Sequence, residues 1–315
     1  MPVFEQTYRR YDGKAKASFR WRTMVRQELR VISRSWAFRG LFGLGMLHAF
    51  LRFIQVLAFD SFTLKKRALE QMLQEMANGP LAGNTYAIDQ IQKQLVWIDK
   101  YLDLFQINAS TFFDFIRIQS PIVFITMILA GSGMICNDAR NNLMEVYFSK
   151  PLNWRDYVFG KCVALSAVGF LMTAAPALFL IVFHNLVLPG ADTFQDSLFW
   201  TSATVFFSMS LVLPCTFGIL ASSASIRSQR FAGIAVFMVL FGDLTIGTTL
   251  QGLMNEPNYL ILAFPVAINH VGQHLFQQRE LLYNLPWKWS VSYIVGVCLI
   301  TLSVICFKVR RAEVG

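Results

Sequence analysis

Chemistry needs particular side chains at particular spacings, and few sets in this chain qualify. His270 and His274 stand one helical turn apart, a spacing that can hold a metal ion. No Glu follows His270, so the H-E-x-x-H pattern of zinc proteases is missing and no metal site is expected. Ser222, Ser223 and Ser225 lack a nucleophile elbow or a neighbouring His and read as the polar end of a loop. The five cysteines are odd in number, form no CxxC and lie in or beside apolar runs, so they read as small buried hydrophobes. No G-x-x-x-x-G-K-[ST] phosphate loop occurs, and no cofactor is expected on this chain. What remains are charges where charge is costly: Arg52, Arg117 and Asp243 fall inside apolar runs. His48 lies one turn before Arg52, and Asp114 one turn from Arg117. Arg52 and Asp243 read either as part of a polar path or gate, or as an interhelical ion pair. Arg117 reads as an Arg snorkelling to headgroups.

The elements that carry these residues are membrane spans. The chain has 315 residues, 55% hydrophobic, 14% aromatic and 15% charged. A soluble domain carries about 25% charged residues. Disorder is excluded, and an ordinary soluble enzyme is disfavoured. Six apolar runs, at 37–59, 113–136, 158–183, 198–221, 231–254 and 290–307, are each long enough for a helix to cross a hydrocarbon core about 30 Å thick. The short alternating strands of a barrel are absent, so the chain reads as an all-α polytopic membrane protein with six transmembrane helices.

The net charge of +9 follows the same topology. With the N-terminus inside, the segments 1–36, 137–157, 222–230 and 308–315, with Arg39 and Lys161 at span edges, hold 19 of the 28 Lys and Arg. The longer outside segments hold 7. This bias favours both termini in the cytoplasm and accounts for the charge without nucleic acid.

Three segments outside the spans have patterns of their own. In 18–36, Trp21, Val25, Leu29, Ile32 and Trp36 fall on one helical face and Arg22, Arg26, Arg30 and Arg34 on the other, joined by Arg20. The pattern is that of an N-terminal amphipathic helix at the interface, apolar stripe in lipid and guanidiniums at phosphates; an amphipathic helix packed on protein is the alternative. Glu28 at the edge of the stripe weakens the match. Segment 60–112 reads as an outward helical hairpin broken near Asn78-Gly79-Pro80 and Gly83-Asn84. Its apolar stripes face each other or an extracytoplasmic partner. Segment 255–289, punctuated by Pro257 and Pro265, reads as a short re-entrant or interfacial helix on the outer side.

The loop 137–157 is the most informative. Leu143, Met144, Val146, Tyr147 and Phe148 make it apolar, Pro151 ends its helix, and Asn153 can cap the next. A cytoplasmic loop this apolar needs a protein surface to cover it. Asp138, Arg140, Leu143, Glu145, Ser149, Pro151, Leu152, Arg155, Gly160 and Lys161 together resemble the cytoplasmic loop of ABC-2 type permeases, the membrane subunits of ATP-binding-cassette exporters. The chain departs from that pattern with Ala139 inside the acidic-basic pair and with Asn141-Asn142.

The resemblance implies that 137–157 is a coupling helix seated in a separate ATPase, with Asp138, Arg140, Leu143, Glu145, Tyr147, Ser149, Pro151, Leu152 and Arg155 as coupling residues. It implies that ATP and Mg bind the partner ATPase, that this chain is not itself an enzyme, and that a second permease subunit completes the pathway. It further implies a bacterial cytoplasmic (inner) membrane. Two other readings stand beside it: a non-transporting scaffold or signalling subunit on the same fold, and an intramembrane lipid-modifying enzyme using His48 or His270 as base. No side chain selects a substrate.

Overall fold

The computed structural model describes residues 20–78, 85–148, 152–188, 191–278 and 286–314. Among these residues the chain is helical, with no strand. An amphipathic helix, α1 (Arg20–Arg34), turns at Ser35 into α2 (Trp36–Asn78). There follow α3 (Thr85–Leu104), α4 (Ala109–Gly131), the short α5 (Cys136–Arg140) and α6 (Leu143–Phe148), α7 (Trp154–Met172), α8 (Ala174–Val187), α9 (Ala191–Ser225), α10 (Gln229–Met254), a 3-10 turn at Pro257–Leu262, α11 (Phe264–Leu275) and α12 (Trp287–Val314). Five helices are long and apolar enough to cross a membrane, and α7 with α8 make a sixth crossing if the bent pair is one span.

α2 does not stop where the first span was expected to end. Its 43 residues contain no Gly or Pro between Gly45 and Asn78, so nothing breaks it. At 1.5 Å per residue it is about 65 Å long, roughly twice the hydrocarbon core. Its second half is therefore one arm of a hairpin at the end opposite α1, and α3 is the other arm. Lys66 bridges to Asp99 at 2.6 Å, and Phe62 packs on Trp97 and Tyr101. The expected break at 79–84 lies outside the described residues.

The third crossing bends by 40° at Thr173, where a single span was expected over 158–183. Pro176 is the cause: it has no N–H for the Met172 carbonyl four residues before it. Gln119 of α4, fully buried, takes that acceptor instead, its Nε2 donating to the Met172 oxygen at 2.5 Å. The same amide lies 3.2 Å from His48 Nδ1 and 3.4 Å from the Gly45 carbonyl, so one side chain ties α2 and α4 to the bend. Pro121 of α4 frees the Arg117 carbonyl in the same way, and Ser120 Oγ donates to it at 2.9 Å.

α9 is the central helix, packed against α4, α7, α8, α10, α11 and α12. α11 is buried beside it rather than lying on a surface. Gly272 allows this, because a Cβ there would stand 2.5 Å from Phe207 and 2.7 Å from Phe113. Asn108, the first residue of an Asn-x-Ser triplet, is the N-cap of α4, its side chain accepting from the Thr111 N–H at 3.2 Å.

Candidate functional site: a buried charge node beneath the inter-span loop

The loop between the second and third spans is built as a platform. α4 runs almost straight into α5, and Ser223 of α9 holds the joint. Its hydroxyl accepts from the Ile135 and Cys136 N–H groups and donates to the Ser132 carbonyl at 2.8 Å. The chain then turns at Asn142, which adopts φ 53°, a left-handed conformation that Asn tolerates. α6 doubles back with Met144 buried and Tyr147 and Phe148 packed on the ring of Tyr157. Burial, and then the Asp138 charge, push the Tyr147 phenol above its ordinary pKa, so it stays neutral.

Beneath the platform lies Lys161, 1% exposed. Its ammonium is 2.6 Å from Glu28 Oε1 and 2.6 Å from Asp138 Oδ2, and it donates to the Met134 carbonyl at 2.7 Å. The Tyr157 hydroxyl donates to Asp138 Oδ2 at 2.8 Å, and the ammonium sits 5.3 Å from the Tyr157 ring centre. A buried ammonium with two carboxylates, a carbonyl and a ring is fully partnered, the condition under which a buried charge persists. The node joins α1 through Glu28, α5 through Asp138 and α7 through Lys161.

Gly160 makes the contact with α1 possible. A Cβ there would meet Met24 and the Trp21 carbonyl at 3.3 Å, a tight fit, so glycine eases the close approach of the two backbones. Trp21 stacks edge-on against Phe159, and Met24 and Ile32 are buried. The apolar stripe of α1 thus faces protein, not the lipid expected for it, and Glu28 is the residue that fastens the helix.

The coupling residues named from sequence fall into different environments. Asp138 faces inward into the node. Arg140 and Glu145 are exposed, as are Asn141, Asn142 and Val146 beside them, on either side of half-buried Leu143 and buried Met144. Leu143, Tyr147 and Leu152 are half-buried, and Arg155 is exposed with its guanidinium 5.4 Å from the Trp154 ring centre. Ser149 and Pro151 lie outside the described residues. Lys161 and Gly160 carried part of the sequence pattern, but Glu28 and Tyr157 were not read as its partners.

The intramembrane charges do not meet. Arg52 donates to Gln55 on its own helix at 2.7 Å. Asp243 accepts from the Phe264 N–H at the start of α11 at 2.5 Å and from the Tyr293 hydroxyl at 3.1 Å. An Arg52–Asp243 pair is therefore not formed; the carboxylate is held by a helix N-terminus, where the backbone dipole favours negative charge. Arg117 pairs with Asp114 at 2.9 Å and lies over Phe113. His270 meets Ser290 at 2.8 Å and packs edge-on with His274. Among the described residues no group of three His, Cys, Asp or Glu side chains is placed to hold a metal. Sequence reading passed over a further contact, Asp60 with His184 at 2.6 Å, which ties α2 to α8 with both residues buried.

Helices throughout the described residues, five or six of them long and apolar enough to cross a membrane, define a multi-pass membrane protein. The family model for ABC-2 family transporter proteins matches residues 22–284, and the chain belongs to that family. It is an ABC transporter membrane protein with a permease role, and its family implies partnership with an ABC ATPase subunit. No curated protein matches the chain.

Proposed function

We propose that this chain is the membrane subunit of an ATP-driven exporter in a bacterial cytoplasmic membrane, with both termini inside. The exposed residues Arg140, Asn141, Asn142, Glu145 and Val146 seat in a separate ATPase, which holds the ATP and Mg; this chain catalyses nothing itself. Closure of the ATPase pushes α5 and α6, and the push reaches the spans through the node. Asp138 moves with the platform, Lys161 with α7, and Glu28 with α1, so the three cannot separate without stranding a buried charge. A second permease subunit completes the pathway, and the hairpin of α2 and α3 projects on the outer side.

The observation that carries this reading is the division of the loop into a buried, charge-locked root and an exposed tip. A loop that only joined two spans would need neither the ion pairs nor half-exposed Val146. Expressed with the ATPase, the native chain is expected to co-purify with it, and Glu145→Lys with Val146→Asp to lower the bound ATPase at least tenfold while leaving the permease folded. Undiminished ATPase binding after deletion of 140–148 contradicts the reading. The alternative of a lipid-modifying enzyme gains no support from the site, because His48 and His270 are engaged with Gln119 and Ser290 at separate places; a scaffold subunit would share the docking loop and differ in moving no substrate.

A further inference from the structure

The burial of the α1 stripe against α7 leaves the other face of that helix to be explained. Arg22, Arg26, Arg30 and Arg34 are all exposed, at successive i, i+4 positions. They run over twelve residues, about 18 Å of helix. The only acid on α1 is Glu28, and the node has taken it. Among the described residues no carboxylate lies within ion-pair distance of any of the four guanidiniums, so the row is a line of uncompensated positive charge on a helix that cannot roll.

The depth of the row is set by its neighbours. α1 ends two residues before Trp36, which opens the first span and is 83% exposed. Its other end packs Trp21 on half-exposed Phe159, at the opening of the third span. Exposed aromatic rings where two spans begin mark the headgroup level of a bilayer. A cationic row at that level, its apolar face already covered, meets phosphate.

We propose that Arg22, Arg26, Arg30 and Arg34 form a binding row for anionic phospholipid headgroups. This rests on the proposed topology, with α1 on the cytoplasmic side, and goes beyond it in naming a ligand. Guanidiniums bind phosphate oxygens in pairs of parallel hydrogen bonds, and basic residues near an anionic surface are attracted to it. Because Glu28 bolts α1 to Lys161 and Asp138, lipid held by the row steadies the root of the platform.

The test uses the full chain in nanodiscs, without any ATPase, so that its outcome is separate from that of the docking reading. Spin-labelled phosphatidylglycerol and phosphatidylcholine are the probes, and the readout is the ratio of their association constants with the protein. The native chain is expected to prefer phosphatidylglycerol at least fivefold, less at 0.5 M salt as screening predicts. Arg26→Gln with Arg30→Gln is expected to bring the ratio down threefold or more with phosphatidylcholine association unchanged. Both side chains are exposed and form no ion pair among the described residues, so the variant should purify as the native chain does; Lys93→Gln, on the hairpin, should leave the ratio alone. Equal association of the two lipids with the native chain overturns the proposal. So does an unchanged ratio in the double variant, including the case in which that variant instead loses a co-expressed ATPase, which would make the row a protein contact.

Discussion

Lys161 is the residue on which most of the platform depends. Replacing it with Met removes the cation that pairs with both Glu28 and Asp138 and leaves two largely buried carboxylates without that counter-charge. Breaking a buried ion pair from one side costs about 3–5 kcal/mol. Lys161→Met is therefore expected to lower stability by that order in a denaturation titration, and adding Glu28→Gln with Asp138→Asn to restore much of it. A triple variant no better than the single one contradicts the account of the node. Sequence alone displayed Gly160-Lys161 and Asp138 but not their common partner. Glu28 stands 133 positions before Lys161, and periodicity along one helix can register it only as a charge at the margin of an apolar stripe. The blemish in the pattern was the contact.

Single elements were legible where they obey local rules and illegible where they answer to a neighbour. Apart from the turn at 132–135 and the bend at Thr173, the six apolar runs are helical, and the loop helix lies where Leu143 to Phe148 suggested. The length of α2 could have been read from its lack of Gly and Pro beyond Gly45. The bend between α7 and α8 was half visible, since Pro176 announces an unpaired carbonyl at Met172. The donor that takes it, Gln119, is the only amide side chain between Phe113 and Cys136, a signal that was there to be used. Gln119→Leu strands that carbonyl and is expected to cost about 1–3 kcal/mol, the range for lost buried hydrogen bonds in water and in membranes. Pro176→Ala in that background supplies an N–H at position 176 and should recover part of the loss, together with a straighter third span. No recovery in the same titration would mean that the bend has another cause.

At the scale of the whole molecule, polar contacts sit at three levels of one bundle. The Lys161 node lies under the platform, Gln119 at the bend, and Asp60 with His184 beyond it. Each joins helices distant in sequence, and each uses a side chain that hydropathy counts only as a penalty. That is why hydropathy and charge bias outline the spans and their order, whereas the contacts between spans need the fold. The intramembrane charges show the same limit. Asp243 was conspicuous in the sequence, but its partners, a backbone N–H at Phe264 and the Tyr293 hydroxyl, could not be named before α11 was placed beside α10.

The central claim is that the tip of this platform meets an ATPase inside the cell. A photo-crosslinking amino acid placed at Glu145, in membranes containing both proteins, measures it most directly. The account predicts a crosslinked product of permease and ATPase that is lost when the probe is moved to Val96 on the hairpin. A probe at 145 that reacts only with reagents confined to the outer face, and never with the ATPase, would contradict it.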